Sequence, residues 1–424
     1  MADGFLWGVA TSAYQIEGAA GNDWTDWEAR GLLKDPGERI GTASHHRARW
    51  RDDFDLLPTI GANAYRYSIE WSRIEPEPGE YDLRELALER ARAEKLSRMG
   101  IEPMLTLHHY THPRWFQAEG GWESARSVER FRGLANAVSD ALSPLVSVWV
   151  TLNEPVVFLL GGYVGGLIPP GITSFASASR AFENLLRAHT EASAAIHERD
   201  PLARVGIAHN MLDFAPDREG HFADRRLVQA GEALYNGALL EALSTGDLRW
   251  VFPGMGRAAF RVGGLDRSSD FVGVNYYSRV HLRFSSLLRL AGEFFYRDRS
   301  GRGLTDTGWE IHPQGLEPLL RQAAATGLPV IVTENGIATR DDGLRREFLR
   351  EHALVVAHAR SAGVPVQGYF HWSLLDNFEW LEGVRPRFGL FEVDYATGSR
   401  RRRPSADLFA RLGRQFESGD RAIG

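Results

Sequence analysis

The sequence predicts an α/β protein: a single (β/α)8 (TIM) barrel over residues 1–424, with its active site at the C-terminal ends of the strands. Three observations predict it. Short β-branched or aromatic runs alternate with longer amphipathic stretches, the pattern of βαβ units and a parallel sheet. Eight such units imply closure into a barrel. No Gly-rich dinucleotide fingerprint follows the first run, and polar residues recur at the ends of many runs rather than at one switch point. Length alone would suggest about three domains. No Pro- or Ser-rich linker and no solenoid period divides the chain, however, and α/β barrels run long as single domains.

Taken in order, the expected strands are 6–11, 64–69, 103–107, 147–152, 205–209, 271–275, 330–333 and 367–372. The amphipathic stretches between them are 83–99, 127–142, 178–199, 226–243, 313–326 and 344–362. Residues 278–303 read as an irregular insertion after strand six, with six Arg against one Glu and one Asp. It is either a solvated loop packing its own aromatics or part of the site entrance. The four arginines at 400–403 read as a solvated charge run.

Composition excludes several classes. Without cysteine there is no disulfide framework, zinc-thiolate site or Cys nucleophile. A formal charge of −6 argues against a nucleic-acid partner held by bulk charge. The stretch 155–179 is uncharged but broken by glycines and Pro169-Pro170, so it does not read as a membrane span. The first residues lack the basic and apolar regions of a signal peptide, so the expected location is cytoplasmic.

The chemistry sits at the strand ends. Strand two ends near Arg66, strand three near His109, strand four at Asn153-Glu154, strand six at Asn275-Tyr276-Tyr277, strand seven at Glu334 and strand eight at Trp372. Strands four and seven lie three places apart in a ring of eight, so Glu154 and Glu334 face each other across the mouth. Two opposed carboxylates are what glycoside hydrolysis needs. Pro155 is expected to hold Glu154 in extended geometry, and Asn335-Gly336 to turn the chain out of the sheet after Glu334. His108, His109 and His112 suggest a metal, but adjacent strand residues point to opposite faces. No strand-one His-x-His accompanies them, and no metal or cofactor is assigned. His45 and His46, before the first helix, read as packing residues.

Seven segments in one order carry a specific resemblance. They are Phe-Leu-Trp-Gly-Val-Ala-Thr-Ser-Ala-Tyr-Gln-Ile-Glu-Gly at 5–18, Tyr-Arg-Tyr-Ser-Ile at 65–69, Thr-Leu-Asn-Glu-Pro at 151–155, Gly-Val-Asn-Tyr-Tyr at 273–277, Gly-Trp-Glu-Ile-His-Pro at 308–313, Val-Thr-Glu-Asn-Gly at 332–336 and Gly-Tyr-Phe-His-Trp-Ser-Leu-Leu-Asp-Asn-Phe-Glu-Trp at 368–380. Together they resemble glycoside hydrolase family 1, the retaining β-glycosidases of the β-glucosidase type.

The resemblance implies a retaining exo-β-glycosidase that removes terminal β-D-glucosyl residues by double displacement, with some β-galactosidase or β-fucosidase activity. Its substrates would be β-glucosides, cello-oligosaccharides or aryl glycosides. It makes Glu154 the general acid/base and Glu334 the nucleophile. The retaining separation of their carboxyl oxygens is about 5–5.5 Å. The acid must stay protonated near neutral pH, the nucleophile must stay ionised, and a nearby Arg66 would favour the charged form of Glu334. Tyr277 would orient Glu334 through a hydrogen bond. Gln15, His109, Tyr110, Asn153, Asn275, Tyr277 and Glu379 would bind the substrate, Asn153 at the 2-hydroxyl. Trp372 would form the floor of the sugar site, with Trp380 and Phe388 as walls. Glu379 would repel a sugar phosphate, so unphosphorylated sugars are expected. Gln15 and Glu379 can bond either epimer at the 4-position, which leaves gluco against galacto open. A non-catalytic sugar-binding barrel would require the loss of one carboxylate, and both are present.

Two features depart from the family pattern. Tyr110 stands where the family often has Trp. Residues 19–28 replace a longer segment, and such trimming would open the aglycone side.

Overall fold

The computed structural model describes residues 4–286 and 291–418. The first three residues, 287–290 of the expected insertion and the last six lie outside the described residues. Eight parallel strands close into a barrel: β1 Leu6–Ala10, β2 Ala64–Ser68, β3 Glu102–His108, β4 Val148–Asn153, β5 Arg204–Asn210, β6 Phe271–Tyr276, β7 Val330–Asn335 and β8 Val366–Trp372. Their order around the ring is their order in the chain. Every expected strand is present, several a residue or two longer than its apolar run. β2 continues past Arg66 to Ser68, which places Arg66 inside the barrel.

The strands are buried on both faces, which is why they read as continuous apolar runs. Val9, Tyr65, Leu105, Trp149, Ile207, Val272, Val332 and Tyr369, one from each strand, face outward and pack with the helices. Leu6, Ala64, Met104, Val148, Ala208, Phe271, Ile331 and Phe370 fill the interior. Large and small residues interlock there, so the barrel is a packed core. A Cβ at Gly8 would stand 2.5 Å from the Phe370 ring.

The outer helices include α1 His46–Phe54, α2 Leu83–Arg98, α3 Ser127–Leu142, α4 Phe175–Arg199, α5 Ala238–Thr245, α6 Leu316–Ala324, α7 Asp342–Ser361 and α8 Pro404–Ser418. Their starts are written locally. Asp82, Ser174 and Asp341 each accept hydrogen bonds from backbone N–H groups of the first turn. α3 turns Phe131, Leu134, Ala135, Val138 and Leu142 to the barrel, the spacing of one helical face. Among the described residues no helix is long and apolar enough to cross a membrane.

Two expectations are corrected here. Among the described residues of 278–303, two stretches are regular strands rather than irregular loop. Strands Arg279–Ser286 and Ala291–Phe295 pair antiparallel, and the first also pairs with Asp213–Pro216 from the loop after β5. The arginines of this segment meet acids supplied by other segments. Arg279 bonds Asp213 at 2.7 Å, Arg283 and Arg297 both bond Asp217, and Arg302 bonds Glu351. Arginines 400–403 are likewise paired, with Asp53, Glu392, Asp407 and Asp376 respectively. Arg401 and Arg402 are exposed, as a solvated run requires, but Arg400 and Arg403 are largely buried, because the acids that meet them come from distant parts of the chain.

Candidate active site

A cavity of about 350 Å³ opens at the C-terminal ends of the strands, within the size range of small-molecule sites. Glu154 and Glu334 both line it. Glu154 does not take the extended geometry expected before Pro155. Its φ and ψ are 49° and 53°, left-handed, and Pro155 is the first residue of the short helix Pro155–Leu159. Proline suits that position because its missing N–H would have no partner there. The Glu154 N–H donates to the Ala208 carbonyl at 2.7 Å, and its carbonyl accepts from Phe158 N at 3.0 Å. Tyr110 and Trp380, also on the cavity wall, have positive φ as well. Strained backbone of this kind concentrates where side chains must be aimed.

A single network joins the two carboxylates. Arg66 Nη1 donates to Glu334 Oε1 at 2.6 Å, and Arg66 Nη2 to Asn153 Oδ1 at 2.7 Å. Asn275 Nδ2 donates to both Asn153 Oδ1, at 3.1 Å, and Glu154 Oε1, at 2.8 Å. The Tyr277 hydroxyl donates to Glu334 Oε2 at 2.7 Å. The network also sets a tautomer. Arg66 fixes Asn153 Oδ1 as an acceptor, so Asn153 Nδ2 donates to His109 Nε2 at 3.2 Å. The His109 proton then sits on Nδ1, which is buried and has no acceptor among the described residues.

Gln15, His109, Tyr110, Asn153, Tyr277, Trp372, Glu379 and Trp380 line the cavity with the two glutamates. Gln15 donates to the Phe378 carbonyl at 2.9 Å and to Glu379 at 3.3 Å. His109 stacks between Trp372 and Trp380, with ring centres 5.9 and 6.1 Å away. His108 turns the other way, against Trp122 and Phe158, as alternation along a strand requires. Three expected residues stand behind the wall. Arg66 and Asn275 reach the carboxylates from below, and Phe388 is buried with its ring 6.3 Å from those of Tyr277 and Trp309. Phe388 therefore supports the wall rather than forming it. His46 starts α1 and bonds Asp53 at 2.7 Å, away from this set.

Arg66 and Tyr277 do favour an ionised Glu334, but burial outweighs them, and the charge of Glu154 adds to its effect. The Glu334 carboxyl is lifted to about 7. Glu379 is lifted to about 8, first by burial and then by Glu334 and Glu154. Below that pH it is largely a neutral acid. Burial and the Arg66 charge hold His109 well below its ordinary range, and it is neutral.

The family model of glycosyl hydrolase family 1 matches residues 1–416. The chain belongs to glycosyl hydrolase family 1. It is 35% identical to beta-glucosidase A of Thermotoga maritima, over 94% of each protein. It is 29% identical to a beta-galactosidase of Pyrococcus woesei, over 96% of each. Among solved structures it superposes on a beta-glycosidase from Pyrococcus horikoshii with a TM-score of 0.90 at 38% identity, covering 97% of this chain and 94% of that one.

This family 1 glycoside hydrolase lines its cavity with further residues that the strand-end reading missed. Asn210 ends β5 and donates to Glu154 Oε1 at 3.0 Å. Its signal was present, a polar residue closing an apolar strand, but the apolar run stops one residue earlier. Tyr235 reaches Asn210 from the π-helical turn Glu232–Gly237, and its hydroxyl donates to Asn210 Oδ1 at 2.7 Å. A widened turn rotates side chains out of the regular helical face, so periodicity could not place Tyr235. Trp24, Tyr296 and Trp309 complete the aromatic wall. Trp309 lies in one of the matched segments. Tyr296 follows the hairpin of the former insertion, which gives that segment its place at the entrance.

Proposed function

We propose that this enzyme is a retaining exo-β-glycosidase working on terminal β-D-glucosyl groups, and that residues 1–424 form one catalytic barrel. The observation that carries the reading is the unlike company of two carboxylates in one cavity. Glu334 has a guanidinium and a phenol on its two oxygens. Among the described residues no cation pairs with Glu154, whose partners are amides and a phenol. A carboxylate held by a cation and by hydrogen bonds is a fixed nucleophile. The other, whose partners are all neutral, is the one left to carry the proton for the leaving oxygen.

In the first displacement a Glu334 oxygen attacks the anomeric carbon while Glu154 protonates the departing glycosidic oxygen. In the second, Glu154 removes a proton from water as it attacks the same carbon, and Glu334 leaves. Only the state with Glu334 ionised and Glu154 protonated reacts, so the pair works on one shared proton. Gln15, His109, Asn153 and Glu379 bind the glycone, and Trp372 and Trp380 flank its ring.

Similarity to a beta-galactosidase favours a second preference within the same mechanism, because Gln15 and Glu379 can serve either epimer. A panel of nitrophenyl β-glucosides, β-galactosides and β-fucosides decides between them. The β-glucoside is expected to have the largest kcat/KM, with the first-formed sugar product in the β configuration by NMR. Mass spectrometry after inactivation with a 2-deoxy-2-fluoro glucoside should find the sugar on Glu334. An α-configured first product, or a label elsewhere, overturns the mechanism.

A further inference from the structure

Glu154 is engaged on both oxygens. Oε1 accepts from the amides of Asn275 and Asn210, at 2.8 and 3.0 Å. Each amide is oriented from behind: Thr333 Oγ1 donates to Asn275 Oδ1 at 2.6 Å, and Tyr235 to Asn210 Oδ1 at 2.7 Å. An amide nitrogen only donates, so Oε1 remains an acceptor and a proton on Glu154 must sit on Oε2. The partner of Oε2 is the Tyr110 hydroxyl.

Tyr110 follows β3 with φ 69°, its ring edge-on to Trp380 at 5.0 Å. A phenol can both donate and accept. It can therefore take a hydrogen bond from Oε2–H while Glu154 is an acid, and give one to Oε2 once Glu154 is a carboxylate. Burial, and then the charge of Glu154, hold the phenol well above its ordinary range, so it keeps its own proton. An indole, common at this position in the family the sequence resembles, donates only and could not make the first of these bonds.

We propose that Tyr110 is a positioning residue for the acid/base, holding the transferable proton on Glu154 Oε2 and stabilising the carboxylate left when that proton departs. The proposal rests on the reading of Glu154 as the acid/base. In the step itself the Oε2–H bond breaks and an O–H bond forms on the leaving oxygen, which keeps the electron pair of the broken glycosidic bond. Tyr110 turns its O–H towards Oε2 and loses no proton. In the second displacement Oε2 recovers a proton from water and Tyr110 turns back. The titratable groups that face Glu154 are Tyr110, Tyr235, Tyr277, Glu334 and Glu379.

The test is a leaving-group series of aryl and alkyl β-glucosides on the wild type, Tyr110→Phe, Glu154→Ala and the double variant. Tyr110→Phe is expected to lower kcat/KM for poor leaving groups about 10- to 100-fold, the factor carried by one hydrogen bond to a charged group. Dinitrophenyl glucosides, which need no acid, should change less than about 3-fold, since additivity errors alone approach that size. In the Glu154→Ala background the same substitution should add nothing. Equal losses across the series that add to those of Glu154→Ala would overturn the proposal and make Tyr110 a sugar contact. Failure of the underlying reading looks different: Glu154→Ala itself would then lose the same factor on every leaving group. If Tyr110→Phe does not fold, fluorinated tyrosines at position 110 change hydroxyl acidity and little else. A dependence on leaving group that shifts along that series supports the proposal, and one that does not shift overturns it.

Discussion

Arg66, in the middle of β2, reaches across the barrel and places Nη1 2.6 Å from Oε1 of Glu334 at the end of β7. Both side chains are almost fully buried, at 1% and 5% exposure. The same guanidinium holds Asn153, and through it Asn275 and Glu154. One cation thus orients both halves of the carboxylate pair while facing a carboxyl that burial works to neutralise.

Chemical rescue separates the two roles. Glu154→Ala should retain glycosylation of activated substrates and, with azide, give the β-glycosyl azide, because azide attacks the glycosyl-enzyme without needing a base. Glu334→Ala with azide should give the α-glycosyl azide by a single displacement. NMR of the products checks this, and the opposite pairing reverses the assignment.

The pH profile follows from the Glu334 environment. On dinitrophenyl glucosides, which need no acid, kcat/KM should rise as pH increases towards neutrality, because Glu334 must ionise and its carboxyl is lifted to about 7. The negative charge of Glu154 contributes to that rise in pKa, so Glu154→Gln should move the acidic limb to lower pH on dinitrophenyl substrates. Arg66 acts in the opposite sense, so Arg66→Met should move the limb up and lower kcat/KM. Limbs that stay in place in both variants assign the controlling proton to another group.

Stability should carry the mark of the same site. A carboxyl lifted from 4.5 to about 7 binds more protons folded than unfolded between those values. Folding stability therefore falls as pH rises through that window. At about 1.4 kcal/mol per unit, the wild type should lose about 3 kcal/mol relative to Glu334→Gln between pH 4.5 and pH 7. Urea unfolding of both proteins across this range measures the difference. Parallel curves would mean that Glu334 is not the group concerned.

Gly336, just after Glu334 and β7, packs against the Trp372 backbone at the end of β8. A Cβ there would lie 1.8 Å from the Trp372 carbonyl oxygen. Gly336→Ala should cost at least about 1–3 kcal/mol by overpacking. It should also lower kcat/KM by more than its effect on thermal midpoint suggests, because Glu334 and Trp372 must both move. A variant with wild-type kinetics would show that the two strands tolerate separation.

Much of this was legible in the residues. Strand runs are apolar on both faces, so all eight stood out, and Glu154 and Glu334 were marked by their place at the ends of such runs. The site was less legible where a residue's partner is distant in the chain. Asn210 lay one residue beyond its apolar run, Tyr235 needed a widened helical turn, and the arginines of 278–303 found their acids at Asp213, Asp217 and Glu351. Phe388 carried the chemistry of a wall residue, but packing put two aromatic rings in front of it.

By itself the sequence determined the barrel, the order of its strands, the family and the two carboxylates at its mouth. These follow from local patterns, hydrophobic period and motif. Only the tertiary structure decided that Tyr110 meets Glu154, that His109 carries its proton on Nδ1, and that burial raises Glu334 and Glu379 against their neighbours. A proton's position depends on which groups surround it and how much water is left there, and closing the barrel sets both.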